Sequence, residues 1–170
     1  MRILADHIRT GVMLIGDEAK LLPSNAGAGY VLRRLIRRAV RHARALKLNK
    51  EHILTIAGLY IDDIYKESYP LLTKNREFII SELKKEIERF ESTLENGLKE
   101  FHKILENKRE EKATVIDGKA AFYLYDTFGF PIELTVELAE EEGLTVDEAG
   151  FAKAIEEQKQ KARENQNFST

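Results

Sequence analysis

An all-α fold, a helical bundle with one long central helix, is what this sequence predicts. Three observations predict it. Apolar residues recur mostly every third or fourth position, the period of a helix with one buried face. Only three prolines and ten glycines punctuate 170 residues. The stretch from Thr73 to Glu106 offers a single helix, its apolar repeat broken only at Gly97. A 43% hydrophobic fraction with 33% charge suits a globular domain that buries a core. Residues 1–165 are expected to form that domain, with 166–170 a flexible tail. No run of about 18 apolar residues exists, so no membrane span is expected. The absence of cysteine excludes disulfides and thiolate metal sites. Both points fit a cytoplasmic setting.

The elements follow in order. A first helix is predicted over Ile3–Ile15, with Leu4, Ile8, Val12 and Ile15 on one face and Gly16-Asp17-Glu18 ending it. A small-residue turn, Pro23-Ser24-Asn25-Ala26-Gly27-Ala28-Gly29, leads into a helix from Tyr30 to about Leu46. Asn49 reads as the side-chain cap of a third helix, whose inner face is Ile53, Ile56, Ala57, Tyr60, Ile61 and Ile64. Tyr69-Pro70 interrupts, because the residue before proline avoids helical geometry. The long helix follows, carrying Ile80, Leu83, Ile87, Phe90, Leu94, Phe101 and Ile104 as a bundle or coiled-coil seam. Residues 108–112 read as a solvated hinge. Asp117 is placed to cap a short helix that stops at Tyr125-Asp126-Thr127-Phe128-Gly129-Phe130-Pro131. There Gly129 supplies a left-handed turn and Pro131 the first position of the next helix. Thr145-Val146-Asp147-Glu148 resembles a capping box for a last polar helix, expected to fray from Glu164.

The second helix carries the functional signal. On a helical wheel Arg33, Arg34, Arg37, Arg38, Arg41 and Arg44 share an arc of ~140°. No Asp or Glu lies between Glu18 and Glu51, so nothing within the segment neutralises them. Residues 20–50 hold nine cations and no acids, while the rest of the chain has 18 cations and 29 acids, a net −11. Such a field attracts and orients a polyanion. The competing reading is structural, with the arginines exchanging salt bridges with the acidic long helix. Among polyanions nucleic acid is favoured, since the planar guanidinium binds phosphate bidentately.

Other constellations carry less. His7, His42, His52 and His102 lie far apart and lack metal-ligand spacing. Gly27-Ala28-Gly29 begins like a dinucleotide fingerprint, but Leu32 stands where the third glycine belongs. A glycine turn feeding a helix N-terminus still exposes N–H groups to a phosphate. Asp126 is open to two readings. It can close the turn or cap the next helix, or it can accept a hydrogen bond from a base amino group, which a phosphate-seeking residue cannot do.

Three ordered blocks carry a resemblance. They are Arg2-Ile3-Leu4-Ala5-Asp6-His7-Ile8-Arg9, then Pro23-Ser24-Asn25 with Gly29-Tyr30-Val31-Leu32-Arg33-Arg34-Leu35-Ile36-Arg37-Arg38-Ala39, then Leu124-Tyr125-Asp126-Thr127-Phe128-Gly129-Phe130-Pro131. Together they resemble the alanyl-tRNA synthetases, in the helical tRNA-recognition domain between the aminoacylation and editing domains. The resemblance implies that Met1 starts a fragment whose parent is a ligase while the fragment has no catalytic site. It implies no cofactor here, with ATP and Mg in the parent's aminoacylation domain and Zn in its editing domain.

The implied partner is the acceptor stem of tRNA(Ala), bound by a monomeric domain. Asn25 and Asp126 match the residues credited in the family with reading the G·U wobble pair in the minor groove. The six arginines would hold phosphates, and the intervening helices would bring Asn25 and Asp126 to one groove. Ala26 and Ala28 depart from the polar and basic residues usual in the family, and Phe128 replaces a common tyrosine. A helical DNA-binding module and a coiled-coil scaffold are the alternative readings.

Overall fold

The computed structural model describes residues 1–167 and is all-helical apart from one pair of two-residue strands. The chain divides into two compact units, Met1–Ser92 and Thr93–Thr170.

In the first unit, α1 (Arg2–Gly16) buries the predicted Leu4, Ile8, Val12 and Ile15. It packs against α2 (Gly27–Ala45), which buries Leu32, Ile36, Ala39 and Val40. Helix α2 begins three residues earlier than expected, so Gly27 to Gly29 are its first turn. Asn49 caps α3 (Lys50–Leu59) reciprocally. It accepts from the His52 backbone N–H at 3.2 Å, and its own N–H donates to His52 Nδ1 at 3.1 Å.

A π turn, Tyr60–Ile64, extends α3. Its wider winding changes the register, so Ile61 is buried while Ile64, expected on the inner face, is exposed. A short α4 (Pro70–Lys74) then takes Pro70 at its first position.

The long helix α5 (Arg76–Glu111) starts after a break that the sequence did not announce. Asn75 leaves helical geometry (φ −97°, ψ 14°), and its buried Nδ2 donates to the Gly16 carbonyl at 3.0 Å. That carbonyl ends α1 and has no partner within its own helix, so one side chain completes one helix and separates two others. Within this unit the seam of α5 is Ile79, Leu83, Glu86, Ile87 and Phe90, with Ile79 buried in place of Ile80.

In the second unit the seam continues through Leu94, Gly97, Phe101 and Leu105. Gly97 belongs to the seam instead of breaking it: a Cβ there would collide with the Phe130 ring, 2.6 Å from Cζ. Residues 108–111 form the last turn of α5, not a hinge. The helix closes with Lys112 left-handed (φ 52°), Ala113 N–H returning to the Lys108 carbonyl at 2.9 Å. Lys108 bridges Glu111 and Asp117 at 3.2 and 3.0 Å. Asp117 therefore stands at the N-cap of α6 (Gly118–Phe128) without capping it. The hydrogen bond from Lys108 holds its carboxyl below the usual range, and the same bond raises Lys108.

Helix α7 (Ile132–Glu141) follows the left-handed Gly129 and Pro131. Strand β1 (Val115–Ile116) pairs in parallel with β2 (Thr145–Val146), so Thr145 belongs to a strand. The cap of α8 (Glu148–Asn167) is Asp147, whose Oδ1 accepts from the Gly150 N–H at 3.0 Å. Helix α6 packs on α8, with the Tyr125 and Phe151 rings edge to face at 5.5 Å. Helix α8 persists to Asn167, and the remainder of the expected tail, 168–170, lies outside the described residues.

Gly97→Ala is expected to destabilise the chain by about 1–3 kcal/mol through overpacking, although alanine is the better helix former. Urea denaturation followed by circular dichroism measures it, and Phe130→Leu in the same chain should recover part of the loss.

Candidate nucleic-acid interface

The turn before α2 is built by a close approach. Ser24 N–H donates to the Gly29 carbonyl at 3.1 Å, and Ser24 Oγ donates to the Ala26 carbonyl at 3.0 Å. The strand of chain from Leu22 to Ser24 lies so close to Gly29 that a Cβ there would stand 2.6 Å from the Leu22 carbonyl oxygen. Glycine at 29 is what lets the turn fold over the first turn of α2. Asn25 is thereby lifted to an exposed position at the helix entrance. No side chain caps this end of α2, whose N-cap is Ala26.

Asn25 is not isolated. Its Oδ1 accepts a hydrogen bond from Arg33 Nη1. Because guanidinium has donors only, the Asn25 atom facing it must be the oxygen. The amide NH2 is thereby turned away from Arg33, oriented to donate.

The six arginines of α2 divide. Arg33 Nε and Arg37 Nε both donate to one oxygen, Glu86 Oε1, each at 2.9 Å. Glu86 is 3% exposed and sits in the apolar seam of α5. Arg37 is buried as well, with its guanidinium over the Phe90 ring at 5.1 Å. Burial lowers its pKa and the Glu86 carboxylate opposes that change.

The structural reading therefore holds for Arg37 and for the Nε of Arg33, whose Nη1 reaches out to Asn25. Arg34, Arg38 and Arg41 are half-buried and also engaged within the protein, while Arg44 is exposed. The basic block is neutralised at its far end too, where Lys50 Nζ meets Glu88 Oε1 at 2.7 Å. Glu86 and Glu88 both come from α5. Glu86 could have been found in the sequence: it lies three residues after Leu83 and four before Phe90, an acid on an apolar face opposite a cationic helix.

Asp126 lies in the other unit, in the last turn of α6 and not in the loop beyond it. It is exposed, and its Oδ1 accepts from Gln158 Nε2 of α8 at 3.0 Å. It neither caps α7 nor closes the Gly129 turn. A carboxylate at the negative end of a helix is unfavourably placed, and no basic residue occupies that turn of α6. Gln158 orients the group without neutralising it.

Among the described residues no group of three or more His, Asp or Glu side chains is arranged to hold a metal ion. No helix among them is long and apolar enough to cross a membrane.

The family model described as "tRNA synthetases class II (A)" matches residues 1–170. The chain belongs to the class II alanyl-tRNA synthetase family. It is 47% identical over 162 residues to the alanine–tRNA ligase of Bacillus mycoides (strain KBAB4), covering 95% of this chain and 18% of that protein. The alanine–tRNA ligase of Bacillus cytotoxicus matches to the same extent, and that of Enterococcus faecalis is 43% identical over the same shares. The chain thus spans about 18% of the length of these alanyl-tRNA synthetase family relatives.

Removing the shared acceptor should be costly. Glu86→Ala leaves two arginines buried without their carboxylate and is expected to lose about 3–5 kcal/mol of stability, measured by urea unfolding.

Proposed function

We propose that this chain is the tRNA-recognition domain of an alanyl-tRNA synthetase, reading the G·U wobble pair of the tRNA(Ala) acceptor stem through the minor groove. The observation that carries the proposal is Asp126. An exposed carboxylate stands at the wrong end of a helix, held by a neutral amide, where neither folding nor phosphate binding asks for it. Local rules are broken in this way mostly where a side chain has a task.

The task fits the chemistry of a wobble pair. In that pair the guanine amino group is left free in the minor groove, and the minor groove of an RNA helix is wide and shallow enough for side chains to reach it. An ionised Asp126 can only accept, so it suits that amino group. Asn25, with its oxygen facing Arg33 and its NH2 turned away, suits an acceptor such as a pyrimidine O2. Phosphate contacts fall to Arg34, Arg38, Arg41 and Arg44. A guanidinium has five N–H donors, so partners inside the protein do not exhaust it.

These contacts would hold the stem without identifying it. The setting is cytoplasmic, the domain is monomeric, and alanine activation with ATP and Mg, like the Zn of editing, belongs to other parts of the parent.

Fluorescence anisotropy with two acceptor-stem hairpins, differing only in G·U against G·C, tests this reading. Wild-type chain should prefer the wobble stem, and Asp126→Asn should remove about tenfold or more of that preference, the scale of a hydrogen bond to a charged group. Equal binding of the two stems by wild type overturns base readout. Tight binding of duplex DNA with no preference for the RNA stem would favour a DNA-binding module instead. Arg38→Ala should weaken both stems alike and reduce the log–log salt slope by roughly 0.7–0.9. An unchanged slope would make Arg38 structural.

A further inference from the structure

We infer that Arg33, anchored by the buried carboxylate of Glu86, is a positioning residue that fixes the orientation of the Asn25 amide. The inference rests on the base-reading role proposed above and adds to it the pair of residues that fix which end of the Asn25 amide faces Arg33 and which faces away.

The geometry is a relay of two hydrogen bonds through one planar group. Arg33 uses Nε on Glu86 Oε1 at 2.9 Å and Nη1 on Asn25 Oδ1. Glu86 is itself immobilised, since Arg37 Nε holds the same oxygen at 2.9 Å and both side chains are buried. A guanidinium held at Nε has its remaining donors fixed in direction. Asn25 is otherwise an exposed side chain on a turn, and an exposed asparagine can present either its oxygen or its nitrogen to a ligand. Contact with Arg33 sets the flip, with the oxygen toward the guanidinium and the NH2 turned away from it. The turn donates to the RNA because a carboxylate in the core of the unit says so.

The structure also explains why an arginine is needed. Lysine carries the same charge, but its ammonium is a single point and cannot hold Glu86 and Asn25 in fixed relative directions. Arg33→Lys therefore separates positioning from charge, and the test is a double-mutant cycle. Wild type, Asn25→Ala, Arg33→Lys and the double variant are each measured against the G·U and G·C hairpins, after circular dichroism shows each to be folded. Arg33→Lys is expected to lower the G·U preference about fivefold, the value of one neutral hydrogen bond. It should lower it no further once Asn25 is alanine. An equal change in both backgrounds, or no change in either, overturns the relay.

A second measurement needs no RNA. By 15N relaxation the Asn25 side-chain amide should be rigid in wild type and mobile in Arg33→Lys and Glu86→Gln. An amide already mobile in wild type overturns the positioning role directly. Rigid wild-type signals without any G·U preference would sink the base-reading proposal and leave the relay standing. Should Glu86→Gln fail to fold, Arg33→Lys carries the test alone.

Discussion

One buried carboxylate organises the first unit of this protein. Glu86 projects from an otherwise apolar face of α5 and accepts from Arg33 and Arg37 through a single oxygen. Burying charges is expensive, and an apolar replacement of the whole cluster is often no less stable. The cluster is better understood through what it defines. Apolar contacts between helices tolerate sliding, whereas three charged groups meeting at one atom tolerate very little, so this cluster restricts the register of α2 on α5. The direction of the Arg33 guanidinium follows from it, and so does the state of the exposed turn.

Charge on α2 consequently serves two ends that share one stripe. The residues nearest the core, Arg33 and Arg37, both bind Glu86, and Arg33 also holds Asn25. Of the others, Arg34, Arg38 and Arg41 are half-buried and engaged within the protein, and Arg44 is exposed. The proposed base readout would use neither set directly, but one amide and one carboxylate, each held by a hydrogen bond to a long side chain: Asn25 by Arg33, and Asp126 by Gln158. An orienting partner removes rotational freedom before the ligand arrives, so less ordering remains to be done on binding.

Much of this was legible in the sequence, and the reasons differ by element. The face of α1 and the cap at Asn49 follow from periodicity and from a local side chain, so they read correctly, whereas α2 departs from its wheel, with Arg37 buried and Val31 exposed. The break at Asn75 was not legible, because its cause is a carbonyl 59 residues away at Gly16. The strand pair was hidden for the same reason, two residues being too few to show alternation and their partner lying 30 positions on. Gly97 looked like an interruption because its tight fit against Phe130 has no local signature. For the candidate site, residue types and the segment bearing them were plain. Which arginines turn inward was not, since that depends on where α5 places its one buried acid.

The π turn at Tyr60–Ile64 has an evolutionary corollary. A helix normally forbids a change in length, because adding or removing one residue rotates everything beyond it by about 100° and exchanges buried for exposed faces. A π turn bonds one residue further along the chain, so it takes up a single extra residue while the flanking helix keeps its face. Here it sits between α3, whose Ile53 and Ala57 are buried, and the bend that leads to Pro70. Related sequences one residue shorter are therefore compatible with the same fold at this place and at few others in the helix. A gap drawn there in an alignment would mark an ordinary α-turn replacing a wide one, not a lost segment.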